Sequence, residues 1–137
     1  MRRFRRLTCA LRLGATALSA LLASPAEATG TNPDGIWLRG DGNAKVDIGP
    51  CEIDGRTKLC ATNLWIGDTT KGEEVGDRLI MTMHPTATGG FAGDAYDPKR
   101  GRSYSIVMTV SPDKMTTRGC VFLGLLCKTV SWRRLPQ

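Results

Sequence analysis

Histidine occurs once in this chain of 137 residues, at His84, and aromatic residues make up only 6% of it. His84 sits before Pro85 among turn-forming residues, with neither a Gly-x-Ser-x-Gly elbow nor a partnered nucleophile, so it reads as a loop histidine rather than a base, and no catalytic residue is assigned. No Cys-x-x-Cys pair is present, which argues against a redox-active dithiol. The longest apolar stretch, Leu13 to Ala23, falls well short of the roughly 20 residues that span a bilayer. No segment shows the apolar repeat of a helix. These absences point away from an enzyme, a membrane-spanning protein and a helical bundle.

The first 28 residues carry the marks of a secretory signal peptide. Arg2, Arg3, Arg5 and Arg6 form the basic start, Leu13 to Ala23 the apolar middle, and Ala26-Glu27-Ala28 the small-residue cleavage site. Cys9 lacks the preceding small residue of a lipoprotein leader. The expectation is a Sec-type leader cleaved near Ala28 and a single domain over 29–137, periplasmic or secreted, with no transmembrane segment after cleavage. The net charge of +6 then mostly belongs to the leader. Without its five arginines and one glutamate, 14 basic residues face 12 acidic ones. So small an excess gives no support to nucleic-acid binding, which needs a clustered surplus of cations.

Four cysteines remain beyond the leader: Cys51, Cys60, Cys120 and Cys127. Their spacings, eight and six intervening residues, do not suit a zinc knuckle, and an oxidising compartment favours disulfides, so no metal or cofactor is expected. Three pairings are open. Cys51 with Cys60 and Cys120 with Cys127 is the expected one, because each pair brackets a segment able to fold back as a hairpin. Each small closed loop would contribute about 2–3 kcal/mol on the chain-entropy account.

Short stretches of alternating polarity, divided by Gly, Pro, Asp and Asn, recur about every ten residues. Gly35 to Arg39 and Lys45 to Ile48 come first, with Gly49-Pro50 expected as a stop. Cys51 to Ile53 turns through Asp54-Gly55, a strong hairpin signal, into Lys58 to Ile66. Gly67 to Gly76 reads as an exposed charged loop, its Glu73 and Glu74 as a solvated face. Asp77 to Met83, Phe91 to Tyr96 and Arg102 to Val110 follow, the last two joined by the turn Asp97-Pro98-Lys99-Arg100-Gly101, whose cations read as a solvated tip. Lys114 to Cys120 and Lys128 to Arg134 close the series. The fold expected is all-β, a small eight-stranded antiparallel up-and-down barrel, because closure removes exposed sheet edges.

Gly35-Ile36-Trp37, Lys58-Leu59-Cys60, Leu64-Trp65, Gly89-Gly90, Ala95-Tyr96-Asp97-Pro98, Gly101, Tyr104, Arg118-Gly119-Cys120 and Trp132-Arg133-Arg134, in this order and spacing, resemble an uncharacterised family of exported bacterial proteins, domain of unknown function 2147. The chain departs from the pattern at Ala61 and around Phe91. The resemblance covers nearly all of 29–137 and implies a compact barrel of lipocalin-like shape without an agreed activity. The opening Gly-x-Trp also looks like the start of calycin barrels, in which the tryptophan lies across the floor beneath an arginine of the last strand. That likeness implies a floor built from Trp37, Trp132 and Arg134, with Arg134 stacked on Trp37.

Met81, Met83, Met108 and Met115 would gather with Ile106 inside such a barrel, and methionine's flexible, polarizable chain suits an adaptable apolar pocket. A barrel of eight strands has room for packed side chains or one small ligand. The functional expectation is a noncatalytic binding barrel for a small hydrophobic or lipid-like molecule. The uncharged segment Val121 to Leu126 is expected to fold inward as a lid through Phe122 and Leu123, with contact to a partner or a membrane surface as the other reading. The rival function is a protein-interaction module with a partner in the cell envelope, including an inhibitor that plugs a protease cleft with the tail Thr29 to Asp34.

Overall fold

A computed structural model describes residues 31–137. The expected leader, residues 1–28, lies outside them. Eight strands run in order: β1 (Gly35–Arg39), β2 (Ala44–Ile53), β3 (Arg56–Ile66), β4 (Arg78–Pro85), β5 (Phe91–Asp97), β6 (Arg102–Val110), β7 (Lys114–Val121) and β8 (Leu126–Arg134). Every neighbour in sequence is an antiparallel neighbour in space, and β8 pairs with β1 through Trp37 opposite Arg134 and Arg39 opposite Trp132. The up-and-down barrel is therefore closed, as the alternating pattern predicted. Among the described residues the single helical element is a 3-10 turn at Thr69–Lys71, and no helix is long and apolar enough to cross a membrane.

Alternation sets what faces inward. Trp37, Val46, Ile48, Met81, Ala95, Ile106, Met108, Val110 and Met115 form the buried core. Their strand neighbours Asp47, Thr82, Asp94, Thr109 and Thr116 are exposed. Gly93 is inward as well, opposite Met83 and Ile106, and a Cβ there would collide with the carbonyl of Thr82, so the two strands approach closely only because this residue has no side chain.

Gly49-Pro50 does not stop β2, contrary to expectation. The strand continues to Ile53, paired with β3 throughout, while its pairing with β1 ends at Ile48 opposite Gly35. Beyond that point β2 has one partner, and a proline without an N–H is tolerated on such an edge. The Asp54-Gly55 hairpin forms as read, both residues at positive φ, 49° and 71°.

The two ends of the barrel differ. One carries the segment 31–34, the Asp54-Gly55 turn, the connections 86–90 and 111–113, and the C-terminal residues. The other carries the connections 40–43, 67–77, 98–101 and 122–125. Both disulfides link strands of a hairpin: Cys51 joins Cys60, and Cys120 joins Cys127 directly opposite it.

Candidate functional site

The end bearing residues 31–34 and the C-terminal residues is sealed. Trp37 is wholly buried, and its Nε1–H donates to the carbonyl of Pro33 at 2.8 Å. The guanidinium of Arg134 lies 4.1 Å from the Trp37 ring centre. From that position it donates to the carbonyls of Pro112, Asp34 and Asn32, at 2.7, 2.5 and 2.9 Å. One cation thus stacks on the floor aromatic and ties three backbone segments across it. Trp132, grouped with these two from the sequence, is not part of the floor. Two residues before Arg134 on the same face, it stands higher in the wall and donates through Nε1–H to Thr117 Oγ1 at 2.9 Å. Of the tail Thr29 to Asp34, residues Asn32 to Asp34 are engaged in this seal, with Pro33 buried, and Thr29 and Gly30 lie outside the described residues.

Above the floor Met81, Met108 and Met115 are almost fully buried and fill the lower interior. A cavity of about 200 Å³ remains over them. Val46, Ile48, Leu79, Ile106 and the three methionines supply its apolar walls. Of the five pocket residues read from the sequence, Met81, Ile106, Met108 and Met115 line it and Met83 does not. Met83 instead lines a separate, wider cleft of about 570 Å³ near the sealed end, with Leu59, Met81, Phe91, Lys58 and His84. That cleft opens because the pairing of β3 with β4 ends at Leu59 opposite Met81, beyond which the two strands diverge.

The upper rim of the cavity is polar: Asn63, Glu73, Asp77, Asp97, Arg100 and Thr117 contribute to it. Its charges are organised in pairs. Arg39 Nη1 holds Glu73 at 2.8 Å while its Nε holds Asp41 at 2.9 Å, clasping the β3–β4 connection to the β1–β2 turn. The bond from Glu73, ahead of the opposing effect of burial and the bond from Asp41, raises the Arg39 pKa above its ordinary value. Lys99 Nζ lies 3.0 Å from both Glu74 and Asp77, and these bonds, Glu74 first, raise its pKa. For Asp77 burial acts upward, but the backbone N–H of Glu74 together with Lys99 outweighs it and holds the carboxyl below its ordinary range. Arg100 Nη1 bonds the buried Asp97 at 2.8 Å, which raises the arginine's pKa.

Sequence reading passed over this rim, treating 67–76 as a solvated loop and 97–101 as a solvated tip. The available signal was alternation. Asp97 follows Gly93 and Ala95 on the inward face, and Arg39 follows Trp37, so both had to point into the barrel and needed partners.

Phe122 and Leu123, expected as a lid, do neither of the things a lid requires. Neither lines the cavity, and Phe122, Leu123, Leu125 and Leu126 are among the most exposed large apolar residues, with Phe122 at 72% and Leu125 at 88%. The six-residue segment is too short to reach back: Val121 pairs with Leu126, so the connection closes as a tight hairpin turn pointing away from the barrel. His84 is exposed on β4 towards the sealed end, whereas Glu73, Asp77 and Asp97 lie at the open end.

No curated protein and no solved structure matches the chain. A family model does, over residues 35–134, which is the barrel from the first residue of β1 to the last of β8. The chain therefore belongs to the family described as an uncharacterized protein conserved in bacteria, DUF2147.

Proposed function

We propose that this chain is an exported, noncatalytic barrel that binds a small apolar molecule, the ligand's apolar body resting on Met81, Ile106, Met108 and Met115. The observation that carries the reading is a cavity with apolar walls beneath a polar rim, in a barrel sealed at the far end. Its volume of about 200 Å³ exceeds the roughly 150 Å³ of an engineered apolar cavity that stays dry and takes up benzene. A single ring or a short branched chain fits that space; a complete lipid does not. Flexible methionine walls suit such a guest. The separation of His84 from the rim carboxylates supports binding over catalysis. Export rests on the leader of residues 1–28 and suits a chain held by two disulfides.

The test is native mass spectrometry of protein recovered from the export compartment, followed by organic extraction of whatever it releases. A small apolar adduct is expected, and it should disappear in Ala61→Phe, where a ring enters the cavity from its wall. A clean mass for the unmodified protein, together with no uptake of hydrophobic fluorophores, overturns the reading.

A further inference from the structure

The turn joining β7 to β8 sets bulky apolar residues in a backbone conformation that does not favour them. Phe122, Leu123 and Gly124 follow one another at φ of 52°, 56° and 85°. Leu125 N–H donates to the Phe122 carbonyl at 3.2 Å, closing a turn whose central residues are both left-handed. Glycine, asparagine or aspartate would satisfy that turn at lower energy. Phe122 and Leu123 gain nothing inside the fold in return, since both are exposed. Four apolar side chains, those of residues 122, 123, 125 and 126, thus project from a hairpin braced by Cys120–Cys127. Such an arrangement gains free energy only from something outside the molecule.

The charges around the tip identify that something. Residues 114–137 contain no Asp or Glu and carry Lys114, Arg118, Lys128, Arg133 and Arg134. Arg118 and Lys128 flank the turn, and Arg102 opens the adjoining strand β6 at the same end. Among the described residues none of these three takes part in an ion pair, whereas Arg39, Lys99 and Arg100 hold Asp41, Glu73, Glu74, Asp77 and Asp97. Five acids of this end are thus matched by cations and Asp68 is held by Thr70 instead, whereas the cations beside the tip have no acid partner.

We propose that the β7–β8 tip inserts into the surface of an anionic lipid bilayer, with Phe122, Leu123, Leu125 and Leu126 entering the acyl boundary and Arg102, Arg118 and Lys128 meeting the lipid phosphates. An apolar edge below a band of cations is the combination that holds peripheral proteins on such surfaces. A protein groove would be met by the same leucines but would not need three unmatched cations around them. The inference does not rest on the cavity: the tip can hold a bilayer whether or not the barrel holds a ligand.

Flotation of purified, oxidised protein with vesicles of phosphatidylcholine, with and without an equal share of phosphatidylglycerol, tests it. Binding is expected to the anionic vesicles only and to weaken as salt is raised. Leu123→Asp with Leu125→Asp should weaken it at least tenfold, and Arg118→Glu with Lys128→Glu should abolish the preference for anionic lipid, with near-ultraviolet dichroism unchanged. Should the aspartate variant not fold, Phe122→Trp gives the reading instead: brominated lipid should quench fluorescence beyond the level of the parent protein. No binding to anionic vesicles at low salt, undiminished binding by the folded aspartate variant, absence of added quenching, or capture of a protein through the tip without vesicle binding would each overturn the proposal.

Discussion

Removing the Arg134 side chain should loosen the barrel at its point of closure, and the size of the effect follows from what that side chain touches. Arg134→Ala deletes the stack on Trp37 and the hydrogen bonds to the carbonyls of Asn32, Asp34 and Pro112. A partly desolvated cation over an indole is worth about 1–2 kcal/mol. Bonds from a charged donor reach about 1.5–3 kcal/mol when buried, but two of these three are exposed and their carbonyls can hydrate afterwards, so about 0.5–1 kcal/mol each is the sounder figure. The total is about 2.5–5 kcal/mol, a large part of the stability of a small domain. Urea unfolding of the oxidised protein, followed by tryptophan fluorescence, measures it directly. The thermal midpoint should fall by about 10 °C or more. Arg134→Lys keeps the cation above the ring but loses the planar fork that reaches three carbonyls, so it should recover only part of the loss. A change below about 0.5 kcal/mol in Arg134→Ala would refute the account of the floor as a cation-clamped seal.

Gly93→Ala should destabilise by about 1–3 kcal/mol in the same assay, because its methyl group meets the Thr82 carbonyl; an unchanged midpoint would show that β4 and β5 can part there without cost. Asp77 should make stability acid-sensitive. Its folded pKa is depressed, so its contribution is complete above the unfolded value of about 3.9 and is lost as pH falls through the lower folded value; Asp77→Asn should flatten this part of the profile, and an identical profile would exclude Asp77 as its source. Replacing Cys120 and Cys127 together by serine should cost about 2–3 kcal/mol while leaving the far-ultraviolet dichroism of the barrel intact.

Strand alternation made most of the architecture legible. The inward positions Met81, Ile106, Met108 and Met115 were read from a period of two, and the hairpin brackets pointed to both disulfides. Two kinds of feature were not legible. Met83 has the right parity for the cavity, but parity fixes a face and not a height, and the divergence of β3 from β4 places it beside a different cleft. The same limit separated Trp132 from the floor. The charged rim was missed because a loop rich in Glu, Lys and Thr looks alike whether it is solvated or clasped; only its placement next to Arg39 and Lys99 distinguishes the two. For Val121 to Leu126 composition suggested burial, whereas the register of Val121 with Leu126 left no chain length with which to achieve it.

The order of strands around the barrel has a kinetic consequence. Seven of the eight pairings join segments adjacent in sequence and can form as independent hairpins, whereas β1 and β8 meet only after the whole chain has been gathered. Closure of that seam is therefore the step that bears the long-range entropic cost, and it should limit the folding rate. The first and last strands of the barrel finish near each other, with Leu135 N–H bonded to the Ile36 carbonyl. A permuted protein with these strands joined by a short linker and the chain opened within 122–125 turns the seam into a local hairpin and makes β7 with β8 the distant pair. In that arrangement Cys120–Cys127 would become the bond that fastens the last strand pair to form.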